Sequence, residues 1–389
     1  MENPITVTEI LETLSQEEKD EVSLPEFLTP LGYYLEGYNT NAKTSAVVRD
    51  EAITKIRTMA KKRVAVRNEI KTNPDILKTR ADDPLIIIGL HRSGTTMLNR
   101  LLSSDPQFFA PMLWEMLEPI PAGRPQKWRD SAKFLAAYKQ YQNHTYKVDE
   151  SKVEAIHVYE LELQEECMLI LMDHFLELPE VQYVKSMDKL RDFVYNCPKE
   201  HVRRAYEYYK QCLQCISYGS DKRILMKSGL HLFYMDVIKE VFPNAKFVLI
   251  LRNGKEIIPS LASLASQHGA DKGFTDDELG KRMAEYFGLA SSKAVEFVKT
   301  TPKESFYAIG YRELVKDPLA EVKAIYSHFN LNLAPEAEEL LKRHMVENKQ
   351  NKHGKHKYGL QDFGLTVDDI KNYLKDYQEF FKDKEELAL

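Results

Sequence analysis

Arg92 and Arg252 are the two side chains whose neighbours best suit them to chemistry on an anion. Arg92 lies in Gly89-Leu90-His91-Arg92-Ser93-Gly94-Thr95-Thr96, directly after the apolar run Leu85-Ile86-Ile87-Ile88. Met97, Leu98, Leu101 and Leu102 then recur at helical spacing. A buried strand, a small-residue loop and a helix start aim several backbone N–H groups at one point, under the positive end of a helix dipole. Such a cradle holds phosphate. Gly89 and Gly94 keep the G-x-x-x-x-G spacing of an ATP-type loop, but Thr95 stands where its lysine would follow. The loop's cation is Arg92 instead. The spacing therefore predicts a nucleotide phosphate handled by machinery other than that of ATPases and GTPases.

Arg252 ends a second apolar run, Phe247-Val248-Leu249-Ile250-Leu251, and precedes Asn253-Gly254 and the helically spaced Ile257, Ile258, Leu261 and Leu264. In a magnesium-dependent NTPase an aspartate that helps hold the metal often follows such a strand. A guanidinium there binds phosphate as a two-pronged fork and repels a metal ion. Ser260 adds a hydroxyl eight residues on, about two helical turns away. Pro259 beside it predicts a kink or a restart of that helix.

With both arginines in view, the chain resembles the sulfotransferases that use 3′-phosphoadenosine-5′-phosphosulfate (PAPS), in particular the bacterial-type branch. Arg92-Ser93-Gly94-Thr95-Thr96 is similar to their 5′-phosphosulfate loop, and Arg252 with Ser260 to their 3′-phosphate motif. Leu225-Met226-Lys227-Ser228 with His231-Leu232 resembles their Leu-Lys-Ser-Pro-x-His-Leu segment, with Gly229 at the proline. Tyr311-Arg312-Glu313-Leu314 with Asp317-Pro318, and Tyr358-Gly359-Leu360 through Phe363-Gly364, resemble two further family segments in the expected order. The match covers roughly residues 84 to 365. It implies a PAPS-dependent sulfotransferase that produces adenosine 3′,5′-bisphosphate; the alternatives are an ATP-dependent small-molecule kinase on a P-loop-like fold and a non-catalytic nucleotide-binding regulator. The implied donor-binding set is Arg92, Ser93, Gly94, Thr95, Thr96, Met97, Arg252, Ser260, Tyr311 and Tyr358.

Sulfuryl transfer moves SO₃ from a phosphate oxygen to an acceptor hydroxyl or amine, and by analogy with phosphoryl transfer negative charge grows on the leaving bridge oxygen. The protein must supply cations and N–H donors there, and a base for the acceptor's proton. Arg92 and Lys227 are the candidate cations. Three groups compete for the base. His157 precedes Gln164-Glu165-Glu166-Cys167, and the resemblance implies that a histidine so placed is catalytic, with Glu165 and Glu166 either orienting it or facing solvent. Glu115, in Leu113-Trp114-Glu115, is similar to a family glutamate beyond the phosphosulfate loop. His231 lies four residues after Lys227; other branches place their histidine two after the lysine, where this chain has Gly229.

Composition narrows the rest. The chain has 389 residues, 43% hydrophobic and 29% charged, with a net charge of −5. That balance argues against a nucleic-acid-coating protein while leaving room for a local basic site. The first residues show no secretory signal pattern, and no apolar run approaches 18 residues, so the expected site of action is the cytoplasm, without a membrane partner. Cys167, Cys197, Cys212 and Cys215 do not form a disulfide framework, and no second pair or nearby histidine turns Cys212 and Cys215 into a metal site. The expected partner is a small-molecule or glycan acceptor; oligomeric state is open.

The elements that must position these groups follow from the apolar pattern. Strands are expected over 85–88, roughly 223–226, 247–251 and 306–309, each followed by a helical pattern. This predicts an α/β fold, a parallel sheet covered on both faces in three P-loop-like layers. Residues 1–80 read as a helical extension packed on a main domain spanning 81–389, and 130–217 as a mostly helical insertion over the acceptor site. His344 to Tyr358, dense in lysine and histidine, reads as a segment that orders over an anion.

Overall fold

The computed structural model describes residues 4–40, 46–143, 160–176, 181–182, 184–267, 273–348 and 358–387. Five parallel strands form the centre, β1 (Leu85–Gly89), β2 (Phe108–Phe109), β3 (Arg223–Lys227), β4 (Lys246–Leu251) and β5 (Phe306–Gly310), in the order β2-β3-β1-β4-β5. The four strands expected from the apolar runs are present. The edge strand β2 was not foreseen, because two residues are too few to show an alternating pattern.

Successive residues of β1 feed opposite layers, as a period of two demands. Leu85 and Ile87 join Leu98, Leu101 and Leu102 of the helix Thr95–Leu102 and Ile325 of the helix Pro318–Phe329. Ile86 and Ile88 join the larger core with Phe247, Leu249 and the helices Lys199–Ile216 and Asp276–Thr300. A strand buried on both faces must be apolar throughout, and Leu85–Gly89 is fully buried.

From β1 the chain runs to β2 and β3 on one side, then crosses to β4 and β5 on the other. The carboxyl end of β1 is therefore a topological switch point, the place where open α/β sheets bind ligands. Parallel register sets the levels: Gly89 pairs with Ile250, and Leu251 with Gly310. The residues just past β1, β4 and β5 thus emerge side by side.

The N-terminal helices Val7–Glu12, Gln16–Val22, Pro25–Thr40 and Ala46–Thr72 build a second core around Phe27, Leu31, Tyr34 and Ile56. Phe175, Met187, Leu190 and Val194, from the expected insertion, complete it. A polar seam keys the two together: Lys62 pairs with Asp173 at 2.9 Å, and Tyr208 donates to the same carboxylate at 3.0 Å. The insertion is mostly helical where described, over Ala132–Asn143, Met168–Leu171, Asp188–Tyr195 and Lys199–Ile216, with residues 160–167 extended and turned.

One expectation needs correcting. The helix Gly254–Gln267 runs through Pro259 without a break. Pro259 forfeits only the bond its own N–H would have made one turn back, close to the helix start, and Ser260 keeps its helical position.

Gly280 lies where the helix Asp276–Thr300 meets the turn Leu360–Phe363, and a Cβ there would collide with the Phe363 carbonyl. Gly280→Ala is expected to lower stability by about 1–3 kcal/mol, the usual cost of overpacking. A thermal melt should show this as a Tm several degrees lower.

Candidate active site

The loop after β1 turns twice through the left-handed region, at Arg92 (φ 68°) and Gly94 (φ 97°). A left-handed arginine costs of order 1–3 kcal/mol and persists only where its surroundings impose it. Here they do. Arg252 Nη1 donates to the Arg92 carbonyl at 2.7 Å, and Arg92 Nε donates to Ser260 Oγ at 3.1 Å. The Arg252 guanidinium also lies 3.7 Å from the Tyr311 ring centroid and pairs with Glu256 at 3.0 Å. At Gly94 a Cβ would stand 2.7 Å from the Tyr311 ring, so only glycine lets the loop close against that tyrosine.

Arg92, Ser93, Gly94, Arg252, Ser260 and Tyr311 therefore meet at one corner, from three strand ends and one helix. Ser93 is fully buried and its Oγ has no hydrogen-bond partner among the described residues. A buried, unsatisfied hydroxyl in a loop of amides at a helix start suits an anionic oxygen. Thr95 and Thr96 open the helix Thr95–Leu102, with Met97 partly buried behind them. Tyr358 packs against the main core.

Lys227 occupies the neighbouring corner. It pairs in register with Ile87, two rungs before the end of β1, so its side chain is wholly buried under the loop. Its Nζ donates to Thr96 Oγ1 at 3.0 Å and to Glu166 Oε1 at 3.1 Å, with Glu165 at 3.8 Å. Burial alone would raise the Glu166 pKa, but Lys227 and His91 outweigh it and hold the carboxyl below its ordinary value. Cys167 pins the strand end: its N–H donates to the Lys227 carbonyl at 3.2 Å, and its Sγ accepts from the Lys227 N–H at 3.2 Å. Glu165 pairs with Arg100 at 2.8 Å. Both glutamates thus point inward onto cations, which corrects the solvent-facing option for them.

The candidate bases fare differently. His157 lies outside the described residues. Glu115 is fully buried and bound by both prongs of Arg124, each at 2.6 Å, while also accepting from the Met112 N–H. The structure gives it to Arg124, so Glu115 braces the segment instead of facing an acceptor. His231 is fully buried, with Nδ1 2.8 Å from the Tyr206 hydroxyl and Nε2 3.6 Å from Cys167 Sγ.

Sequence reasoning missed three participants. Tyr286 reaches the loop residue His91 at 2.6 Å from the middle of a long helix. Glu386, near the C-terminus, accepts from the Asn253 N–H at 3.3 Å and the Arg312 N–H at 2.7 Å, bracing the ends of β4 and β5. His91 is the third; its position marks it as a member of the loop and nothing more. No signal within any local window links these positions.

The geometry defines a class first: a P-loop-like α/β protein whose switch point carries two arginines and a buried lysine around an anion cradle. The family model for the sulfotransferase family matches residues 84–335, and this chain belongs to that family. It is 26% identical over 259 residues to omega-hydroxy-beta-dihydromenaquinone-9 sulfotransferase Stf3 of Mycobacterium bovis and of Mycobacterium tuberculosis, covering 64% of this chain and 63% of theirs. The match thus spans less than two thirds of those relatives. Among solved structures, sulfotransferase STF9 from Mycobacterium avium superposes with a TM-score of 0.86 at 20% identity, covering all of both chains. Sulfotransferase STF1 from Mycobacterium tuberculosis gives 0.78 at 22%, over 97% of this chain and 100% of its own. At those identities the superpositions establish the shared fold.

His231 also sets a pH dependence. Burial pushes its pKa down to about 4, so the unfolded chain binds that proton more readily between about pH 6.5 and 4. Its contribution is present above pH 6.5 and is lost as pH falls through 4, by about 3 kcal/mol at most. Urea melts across this window should show the loss, with a slope shallower by about one proton in His231→Gln.

Proposed function

We propose that this sulfotransferase moves the sulfuryl group of PAPS to a hydroxyl of a small-molecule acceptor and releases adenosine 3′,5′-bisphosphate. The reading is carried by the convergence of Arg92 and Arg252 at adjacent strand ends, bonded through the Arg92 carbonyl. Two fixed cations at one switch point suit a nucleotide charged at both ribose positions. Arg252, Ser260 and Tyr311 take the 3′-phosphate; Arg92, the Ser93 hydroxyl and the amides of Gly94 to Met97 take the 5′-phosphosulfate, and Tyr358 flanks the adenosine.

As the acceptor oxygen attacks sulfur in line, the S–O bond to the phosphate breaks and charge builds on the departing bridge oxygen. Lys227 and Arg92 stabilise that charge best in a water-poor corner. The wholly buried ammonium of Lys227 is well placed to do so, since Thr96 and Glu166 aim it at the loop's helix start. Family membership supports the reaction class, and the name of the mycobacterial relative, which acts on an omega-hydroxy compound, supports a hydroxyl acceptor. Four free cysteines suit a reducing cytoplasm. A kinase reading would want a loop lysine and a metal-binding carboxylate after β4, where this chain has Thr95 and Arg252.

Thermal melts with adenosine 3′,5′-bisphosphate, ATP with magnesium, and 5′-AMP test the donor. Bisphosphate at a hundred times its Kd should stabilise by about 2.7 kcal/mol, well above the other two at equal concentration. A preference for ATP would overturn the reading. Arg252→Ala should then weaken bisphosphate binding about 10- to 100-fold more than 5′-AMP binding, the worth of a charge-assisted hydrogen bond to the 3′-phosphate, with a smaller loss common to both ligands because the Arg92 carbonyl is released. Equal weakening would make Arg252 structural. Incubation of PAPS with metabolite extracts should reveal the acceptor as a mass gain of about 80 Da, the SO₃ increment of the group transfer proposed here.

A further inference from the structure

The loop that carries Arg92 also carries an imidazole that the phosphate cradle leaves unused. The His91 ring lies over Gly229: a Cβ at 229 would stand 3.0 Å from His91 Nδ1 and 3.1 Å from Cε1. The ring fills the room that a side chain at 229, two residues past Lys227, would take. Its Nδ1 is 2.6 Å from the Tyr286 hydroxyl. Its other nitrogen, Nε2, faces Glu166 Oε2 at 3.8 Å, beyond hydrogen-bond reach, and a fifth of the side-chain surface stays open. Glu166 Oε1 is the oxygen that holds Lys227. Lys227, Glu166 and His91 thus stand in a row beside the phosphate loop.

We propose that His91 is the general base, its Nε2 taking the acceptor hydroxyl's proton as the oxygen attacks sulfur. This rests on the sulfotransferase reading above. The acceptor oxygen's lone pair forms the new O–S bond, and the O–H pair returns to that oxygen as the proton passes to Nε2. The S–O bond to the phosphate breaks with its pair leaving on adenosine 3′,5′-bisphosphate, and the imidazolium later passes its proton to water.

The surroundings fit this role. With the ring proton on Nδ1, directed at the Tyr286 oxygen, the Nε2 lone pair is free to accept. Among the described residues, the charged and titratable groups facing the ring are Glu166, Lys227, Arg92 and Tyr286. Burial, aided by Lys227 and Arg92 and opposed by Glu166, keeps the imidazole below its ordinary pKa and neutral near pH 7. Once protonated, it faces the Glu166 carboxylate. By contrast, His174 and His201 lie in the polar seam of the N-terminal core, where His174 contacts Arg63 and His201 bonds the His174 carbonyl.

The test uses full-length His91→Asn, His91→Gln and His157→Asn. PAPS turnover is followed from pH 5.5 to 8.5 with farnesol, 2-naphthol and water as acceptors, and adenosine 3′,5′-bisphosphate affinity by thermal melts. Both His91 variants should lose about 10²- to 10⁴-fold in kcat and the acid limb of the profile, with bisphosphate affinity changed less than threefold. His157→Asn should keep the limb. An acid limb surviving in both His91 variants, or lost in His157→Asn instead, overturns the proposal. So does bisphosphate affinity falling in step with turnover, which would make His91 a support of the loop. A wild-type protein that fails to bind the bisphosphate would instead sink the donor assignment on which this rests.

Discussion

The Arg252 guanidinium is the joint on which the site depends. One edge donates to the Arg92 carbonyl, another meets Glu256, and the flat face lies on Tyr311. Only a planar cation with several donors can serve three elements at once, and a lysine ammonium has no face to stack. The contact also bears on the strain next door. Arg92 holds a left-handed backbone that an isolated loop would abandon, and the bond from Arg252 is one of the restraints that keep it there. Contacts within the protein itself thus hold the loop's shape.

The second corner solves a harder electrostatic problem. A lysine with no exposed side chain is costly unless a carboxylate and further hydrogen bonds accompany it. Glu166 and the Thr96 hydroxyl do so, and Cys167 fixes the backbone on which the lysine rides. The segment bearing Glu165, Glu166 and Cys167 works as a strap across the ends of β1 and β3. It is anchored at one side by Arg100 and, through the backbone bonds of Leu113 and Trp114 to Leu163 and Leu161, at the other. Glu115, bound bidentately by Arg124, stiffens the same wall.

Distant parts of the chain contribute rigidity to this region. Glu386 closes over two strand ends from beyond the last long helices. The N-terminal helices share a core with residues of the insertion, and Val66 of the helix Ala46–Thr72 enters the main core. The extension is consequently a wall of the insertion that was expected to cover the acceptor site.

Much of this was legible in the residues alone. Four strands showed as apolar runs, because a strand covered on both faces has no polar side to disguise it. The cradle showed in the glycine spacing, Arg92, Arg252 and Ser260 in their positions after strands, and Tyr311 only through the resemblance. Pro259 misled because a sequence shows the ring that obstructs a helix but not how near the helix start it falls. Glu165 and Glu166 could be read either as solvated or as inward, since a pair of adjacent carboxylates carries no periodicity.

Local order along the chain thus determined four of the five strands, the glycine-spaced loop after β1 and the places of Arg92 and Arg252, because each is written in contiguous residues whose burial follows a short period. Which partners those groups meet was decided only by tertiary packing. His91 with Gly229, Tyr286 and Glu166, Lys227 with Glu166, and Glu386 with two strand ends are pairings across tens to more than a hundred residues. Side-chain contact at that separation depends on register and crossover, which bring remote atoms within a few ångströms and leave no trace in the spacing of the residues themselves.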